Sequence, residues 1–264
     1  MTPAVLPVRA SGSGVPLLLL HGLGTTGEEF VFLSALLAGA FHVIVPDLRG
    51  HGRSAHHPGP YSAEAMAADL APTLDALGLA SAHVLGHSHG GAAAQVFART
   101  HPERVRSLIL VSTYTRQRLT WWERLIGRLA PPTVTVLETR RLALLVRWLR
   151  TAGGGRKFTP RAAAVRAATL TANDSGQLAA ALQDARPFDS RTWLETIPAP
   201  ALVIAGRQDY VVVPRQAQLL AAGIPAAHLR MLDDGGHELP LSHAAELAHL
   251  ITGWLRDREL EAST

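Results

Sequence analysis

The chain has 264 residues, a formal net charge of +4, 47% hydrophobic side chains and no cysteine. That size suits one large α/β domain with a sizeable core, alone or with an inserted subdomain. It excludes disulfides, thiol catalysis and cysteine metal sites, and no stretch approaches the roughly 20 apolar residues of a membrane span.

The first residues, Met1-Thr2-Pro3-Ala4-Val5, have neither a basic n-region nor an apolar h-region. No signal peptide is expected, and a cytoplasmic location is the default. Leu6 to Arg9 and Pro16 to Leu20 read as strands flanking a Gly12-Ser13-Gly14 turn, like a hairpin. The second runs into His21-Gly22-Leu23-Gly24. Glu28 to Leu37 reads as a helix, and His42 to Asp47 as a buried strand. Ser62 to Leu77 reads as one helix, capped by Ser62 and ended by Gly78. Ala82 to Leu85 is a short buried strand, Ala92 to His101 a helix stopped by Pro102, and Ser107 to Val111 another strand.

The pattern changes at Tyr114. Residues 116–130, 135–150, 160–172 and 175–186 read as four helices without intervening strands, broken in the middle by Gly153-Gly154-Gly155. Strand-helix alternation resumes with Ala201 to Ala205, a helix after Pro214, a strand from His228 to Leu232 and a last helix from Ser242 to Arg256. Such alternation implies a mostly parallel, doubly wound α/β sheet. We therefore expect a core made of residues 1–114 and 196–264, with residues 115–195 inserted as an all-helical cap. That cap holds 14 basic and 6 acidic residues. It reads as a solvated arginine-rich surface, with attraction of an anionic or carrier-linked substrate as the other reading. No nucleic-acid motif or aromatic platform accompanies the charge, so no nucleic-acid partner is expected.

The chemistry centres on Gly86-His87-Ser88-His89-Gly90-Gly91, which fits G-x-S-x-G between a strand and a helix. A serine there sits on a strained turn with its hydroxyl held out of the sheet, and any side chain larger than glycine beside it collides with the neighbouring strand or helix. A serine hydroxyl needs a base, and the base needs an acid to fix its tautomer. Asp209 follows the strand ending at Gly206, and His237 follows the strand ending near Leu232, so both fall on the rim that carries Ser88. We assign Ser88 as nucleophile, His237 as general base and acid, and Asp209 as the group that orients His237. Asp233 and Asp234 read as exposed turn residues. The backbone N–H groups of Leu23 and His89 are expected to form the oxyanion hole. His21 reads as a loop organiser, and the His89 side chain as packed at the helix start. Leu23, Trp121, Trp122, Leu125, Trp148 and Val211 are candidate substrate-lining residues. The two adjacent tryptophans read equally well as cap core.

Together these pieces resemble the α/β-hydrolase superfamily, in its lid-bearing, haloperoxidase-like serine esterase branch, over nearly the whole chain. His21-Gly22 looks like the family's oxyanion loop, and Asp47-Leu48-Arg49-Gly50-His51-Gly52-Arg53-Ser54 like its D-x-R-G-x-G-x-S turn, a scaffold element. Gly86 to Gly91, Asp209 and His237 match its triad positions. His89 stands where the family often has Met or Gln. Relatives that open epoxides or displace halide carry aspartate at the elbow, so Ser88 speaks against those activities. The resemblance implies hydrolysis of a carboxylic ester, thioester or lactone of a small molecule without metal or cofactor, with perhydrolysis as a side activity, by a monomer or homodimer. Amides are harder, because their leaving group is harder to expel. Two other readings stay open: a lyase or C–C bond hydrolase using the same triad, and a ligand-binding protein that turns over slowly.

Overall fold

The computed structural model describes residues 2–117, 157–185 and 187–262. Seven strands form one sheet in the order β1-β3-β2-β4-β5-β6-β7. They are β1 (Val8–Ser11), β2 (Pro16–Leu20), β3 (His42–Pro46), β4 (Ala82–His87), β5 (Val105–Val111), β6 (Ala201–Gly206) and β7 (Ala227–Leu232). All neighbours are parallel except β1, which runs antiparallel to β3 with Val8 opposite Pro46.

The first two strands are not a hairpin. β2 is buried on both faces and needs partners on both sides, which β3 and β4 supply. β1, half exposed, takes the sheet edge beyond β3. Gly12, at φ +74°, makes the crossing: a Cβ there would strike the carbonyls of Ala38 and Phe41 in the turn before β3.

Period-two burial splits the core. Leu18, Leu20, Val84, Leu110 and Val203 face one layer, and Leu17, Leu19, Leu85, Ile109 and Ile204 face the other. Each such side chain contributes about 1.5–3 kcal/mol on burial. Helix α1 (Val31–Leu37) and the C-terminal helices α8 (Leu239–Ser242) and α9 (Ala244–Ala262) cover the second layer. Helices α2 (Ala63–Ala68), α3 (Leu70–Ala76), α4 (His89–Thr100) and α7 (Arg215–Gly223) cover the first. The expected single helix over 62–77 is therefore two. Ser62 caps it through Ala65 N and Gly78 ends it at φ +68°, as expected. Pro72, however, lacks an N–H and crowds the Ala68 carbonyl, so the helix breaks at Asp69. The break is held by Arg49, which grips the buried Asp69 carboxylate through Nε at 2.8 Å and Nη2 at 2.5 Å.

Between β5 and β6 the described residues include α5 (Pro160–Thr171) and α6 (Ser175–Asp184), matching the last two helices expected there. The expected helix over 116–130 has its first two residues in view, and they are not helical: Arg116 forms an antiparallel bridge with Asp189. This bridge, with Ser190 N donating to the Thr115 carbonyl at 2.7 Å, closes the neck of the insertion. The rest of that helix, the helix over 135–150 and the glycine break at 153–155 lie outside the described residues. Among the described residues, no helix is long and apolar enough to cross a membrane.

Candidate active site

Ser88 stands between the last residue of β4 and the first of α4, at φ 51° and ψ −119°. A non-glycine residue in that region costs about 1–3 kcal/mol, so packing must impose it. Ser88 N donates to the Val111 carbonyl at 3.0 Å, and Thr113 Oγ1 donates to the Ser88 carbonyl at 2.6 Å. The elbow glycines are needed for contact. A Cβ on Gly90 would strike the Leu20 carbonyl, and one on Gly86 would strike the Gly90 carbonyl. This is the collision expected from the motif.

His237 Nε2 lies 3.1 Å from Ser88 Oγ, and its Nδ1 lies 2.9 Å from Asp209 Oδ2. A carboxylate only accepts, so Nδ1 carries the hydrogen and Nε2 is free to accept from the serine hydroxyl. Asp209 is buried, and its Oδ1 accepts from Val211 N at 2.9 Å and Val212 N at 2.8 Å. These bonds fix the carboxylate before it meets the imidazole. Asp233 and Asp234 turn away: Asp233 is exposed and pairs with Arg207, and Asp234 pairs with Lys157 and His243.

The loop after β2 lies against the elbow. A Cβ on Gly22 would sit 3.3 Å from Ser88 Cβ. Two buried histidines shape this loop, and both are neutral by bonding pattern. His21 accepts from Leu48 N at 2.9 Å and donates to its neighbour's carbonyl. His51 accepts from Gly24 N at 3.1 Å and donates to the Arg49 carbonyl at 2.8 Å. Burial lowers both, and His51 falls to about 3. His21 is thus a loop organiser, as read from the sequence. Asp47 ties the same scaffold, accepting from Gly27 N and from Arg53.

A third polar cluster was not foreseen. Glu29, fully buried just before α1, accepts from His87 Nδ1 at 2.7 Å and from Gly22 N at 3.3 Å. His87 Nε2 donates to the His237 carbonyl at 3.0 Å. Burial alone would push the His87 imidazole down, but the Glu29 carboxylate outweighs it and holds it up at about 9. Burial would likewise raise Glu29, yet His87 brings it down to about 2.

Ser88 and His237 open into a cleft of about 360 Å³. Leu23 and Val211 line it, as expected, and so does His89, whose side chain the sequence reads as packed at the helix start. So do Leu170, Leu178 and Leu182 from α5 and α6, and Tyr114, Arg166 and Glu238, none of which sequence patterns singled out. Trp121, Trp122, Leu125 and Trp148 lie outside the described residues. The His89 imidazole is buried, shares a 2.7 Å hydrogen bond with Tyr114 Oη and is lowered to about 4 by burial. Burial raises the Tyr114 hydroxyl well above its ordinary value, so it stays protonated. Helices α5 and α6 are fastened to the loops after β2 and β3. Asn173 bonds Gly52 N and the Thr25 carbonyl, Gln177 bonds the Ala55 carbonyl, and Asp184 accepts from Tyr61 N. The cationic groups Arg116, Lys157, Arg166 and Arg191 each face a carboxylate. Among the described residues one cluster has metal-ligand spacing, Asp234, His243 and Glu246, and Lys157 Nζ sits 3.2 and 3.5 Å from its carboxylates.

A family model described as the alpha/beta hydrolase fold matches residues 15–244. A candidate carbamate hydrolase, RutD, of Azorhizobium caulinodans is 32% identical over 244 residues, covering 86% of this chain and 85% of that protein. Among solved structures, a thermophilic esterase from Thermogutta terrifontis superposes with a TM-score of 0.80 at 29% identity, covering 96% of this chain and 93% of that one. Est816, described as an N-acyl homoserine lactone degrading enzyme, superposes with a TM-score of 0.79 at 30% identity, covering 94% and 96%.

Proposed function

The chain belongs to the α/β-hydrolase fold family, and from that premise we propose that it cleaves a carboxylic ester, thioester or lactone of a small molecule through an acyl-enzyme on Ser88. The observation that carries this reading is the unbroken run from Ser88 Oγ through His237 to Asp209, with distances of 3.1 and 2.9 Å, at the floor of a cleft.

In this reading His237 takes the Ser88 proton as Oγ attacks the acyl carbon. Asp209 stabilises the imidazolium, and His237 then passes the proton to the leaving oxygen or sulfur. The N–H groups of Leu23 and His89 receive the oxyanion, where loss of one donor costs about 100- to 1000-fold in rate. Water, activated by His237, releases the acid. No metal or cofactor takes part. Relatives described as an esterase, a lactone-degrading enzyme and a candidate carbamate hydrolase support this reading. Among the described residues, the cleft-lining cations Arg116 and Arg166 are each paired with a carboxylate, which favours a neutral acyl group over an anionic one.

We assign residues 115–195 to the cap, supported by the closed neck at Arg116 and Asp189. We assign the chain to the lid-bearing, haloperoxidase-like branch on its elbow and triad pattern. It is proposed as a cytoplasmic monomer or homodimer that binds no nucleic acid. Turnover of 4-nitrophenyl butyrate in ¹⁸O-water tests the reaction: hydrolysis puts one solvent oxygen into butyrate. No turnover of this ester or of a thioester and lactone panel would overturn it.

A further inference from the structure

We propose that Glu29 and His87 are a buried positioning pair that ties together the three loops of the active site: the oxyanion loop at Gly22, the elbow at Ser88 and the loop that carries His237. The proposal rests on Ser88 being the nucleophile.

The bonding pattern carries it. Glu29 Oε1 accepts both from Gly22 N, beside Leu23, and from His87 Nδ1. His87 is covalently joined to Ser88, and its Nε2 donates to the carbonyl of His237. Both ring nitrogens of His87 therefore face acceptors. A neutral imidazole has one N–H and can satisfy only one of them, whereas the imidazolium satisfies both. The fully buried Glu29 carboxylate supplies the counter-charge that keeps the ring doubly protonated. The other charged or titratable groups facing His87 are Glu238, from the His237 loop, which also favours the cation, His21, from the loop after β2, and His237 itself, whose ring centroid lies 5.0 Å from that of His87. The network spans 58 residues on one side and 150 on the other, yet its members converge beneath Ser88. A small slip in any of these loops misaligns the attack, and a misplacement of about 1 Å costs about 100-fold.

The test is Glu29→Gln. Glutamine keeps the shape and the acceptor for Gly22 N and His87 Nδ1, but removes the charge. Burial then drives His87 towards the neutral ring, and one of its two bonds is lost. We would measure kcat and KM for 4-nitrophenyl acetate from pH 6 to 10, with thermal melting and with intact-mass detection of a fluorophosphonate adduct. Wild type is expected to hold its kcat until His87 deprotonates near pH 9. In E29Q the alkaline fall should move down by roughly one pH unit or more, with kcat at pH 8 down by about 10- to 100-fold and KM within about twofold. His87→Gln is the second variant: with no titrating ring, its lowered kcat should show no fall near pH 9. A folded E29Q whose profile superimposes on wild type would overturn the pair while leaving the hydrolase reading intact. A wild type that takes no adduct and turns over no ester would overturn both.

Discussion

Arg166 Nε donates to Glu238 Oε1 across 2.8 Å, joining the cap helix α5 to the residue that follows His237. Both side chains are more than nine-tenths buried. Removing one partner strands a buried charge, at a cost of about 3–5 kcal/mol, while replacing both with apolar groups can be neutral. Arg166→Ala and Glu238→Ala should each lower stability in urea denaturation by that amount. Arg166→Met combined with Glu238→Leu should recover most of it. Single variants within about 0.5 kcal/mol of wild type would mean that the pair is not buried in solution.

Asp209→Asn should preserve the fold and abolish most of the rate. The amide oxygen can still accept from Val211 N and Val212 N. Its NH₂ then faces His237 Nδ1, which must become an acceptor, and the ring hydrogen moves to Nε2. From there His237 cannot take the Ser88 proton. A kcat lower by about 10⁴-fold with an unchanged melting temperature is expected. A loss of less than tenfold would mean that another group orients the imidazole.

Stability should peak near pH 6.5 and fall on both sides. His51 and His89 have folded values of about 3 and about 4, below the unfolded 6.5. Their contribution is complete above 6.5 and is lost as pH falls, at about 1.4 kcal/mol per pH unit for each. Glu29, held at about 2, adds a loss below its ordinary 4.5. His87 has the opposite sign. Held at about 9, it stabilises fully below 6.5 and loses that contribution as pH rises towards 9. Melting temperatures from pH 4 to 10 check this, and His51→Gln should flatten the acid side. A stability that rises steadily from pH 7 to 9 would contradict it.

The triad was legible because its chemistry fixes residue type at the ends of strands. Gly86 to Gly91 and Asp209 each follow an apolar run that forms a buried strand, and His237 follows the alternating, half-exposed edge strand β7. What failed depended on partners that local pattern does not name. The turn at Gly12 to Gly14 looks like a hairpin until β2, apolar on both faces, claims neighbours on both sides. Pro72 was the local signal that 62–77 is two helices. Glu29 looks like one more polar residue at a helix start, and only the fold brings it to His87, 58 residues away. Arg166 was one arginine among many until α5 set it beside Glu238. Val211 and Leu23 were found because they adjoin triad elements, and Tyr114 was open to the same argument at the end of β5.

The central claim is that Ser88 is an activated nucleophile, and intact-mass measurement after fluorophosphonate treatment tests it without knowledge of the substrate. The account predicts one adduct on wild type and none on Ser88→Ala. An adduct that persists on Ser88→Ala, or a wild type that takes none, would contradict it.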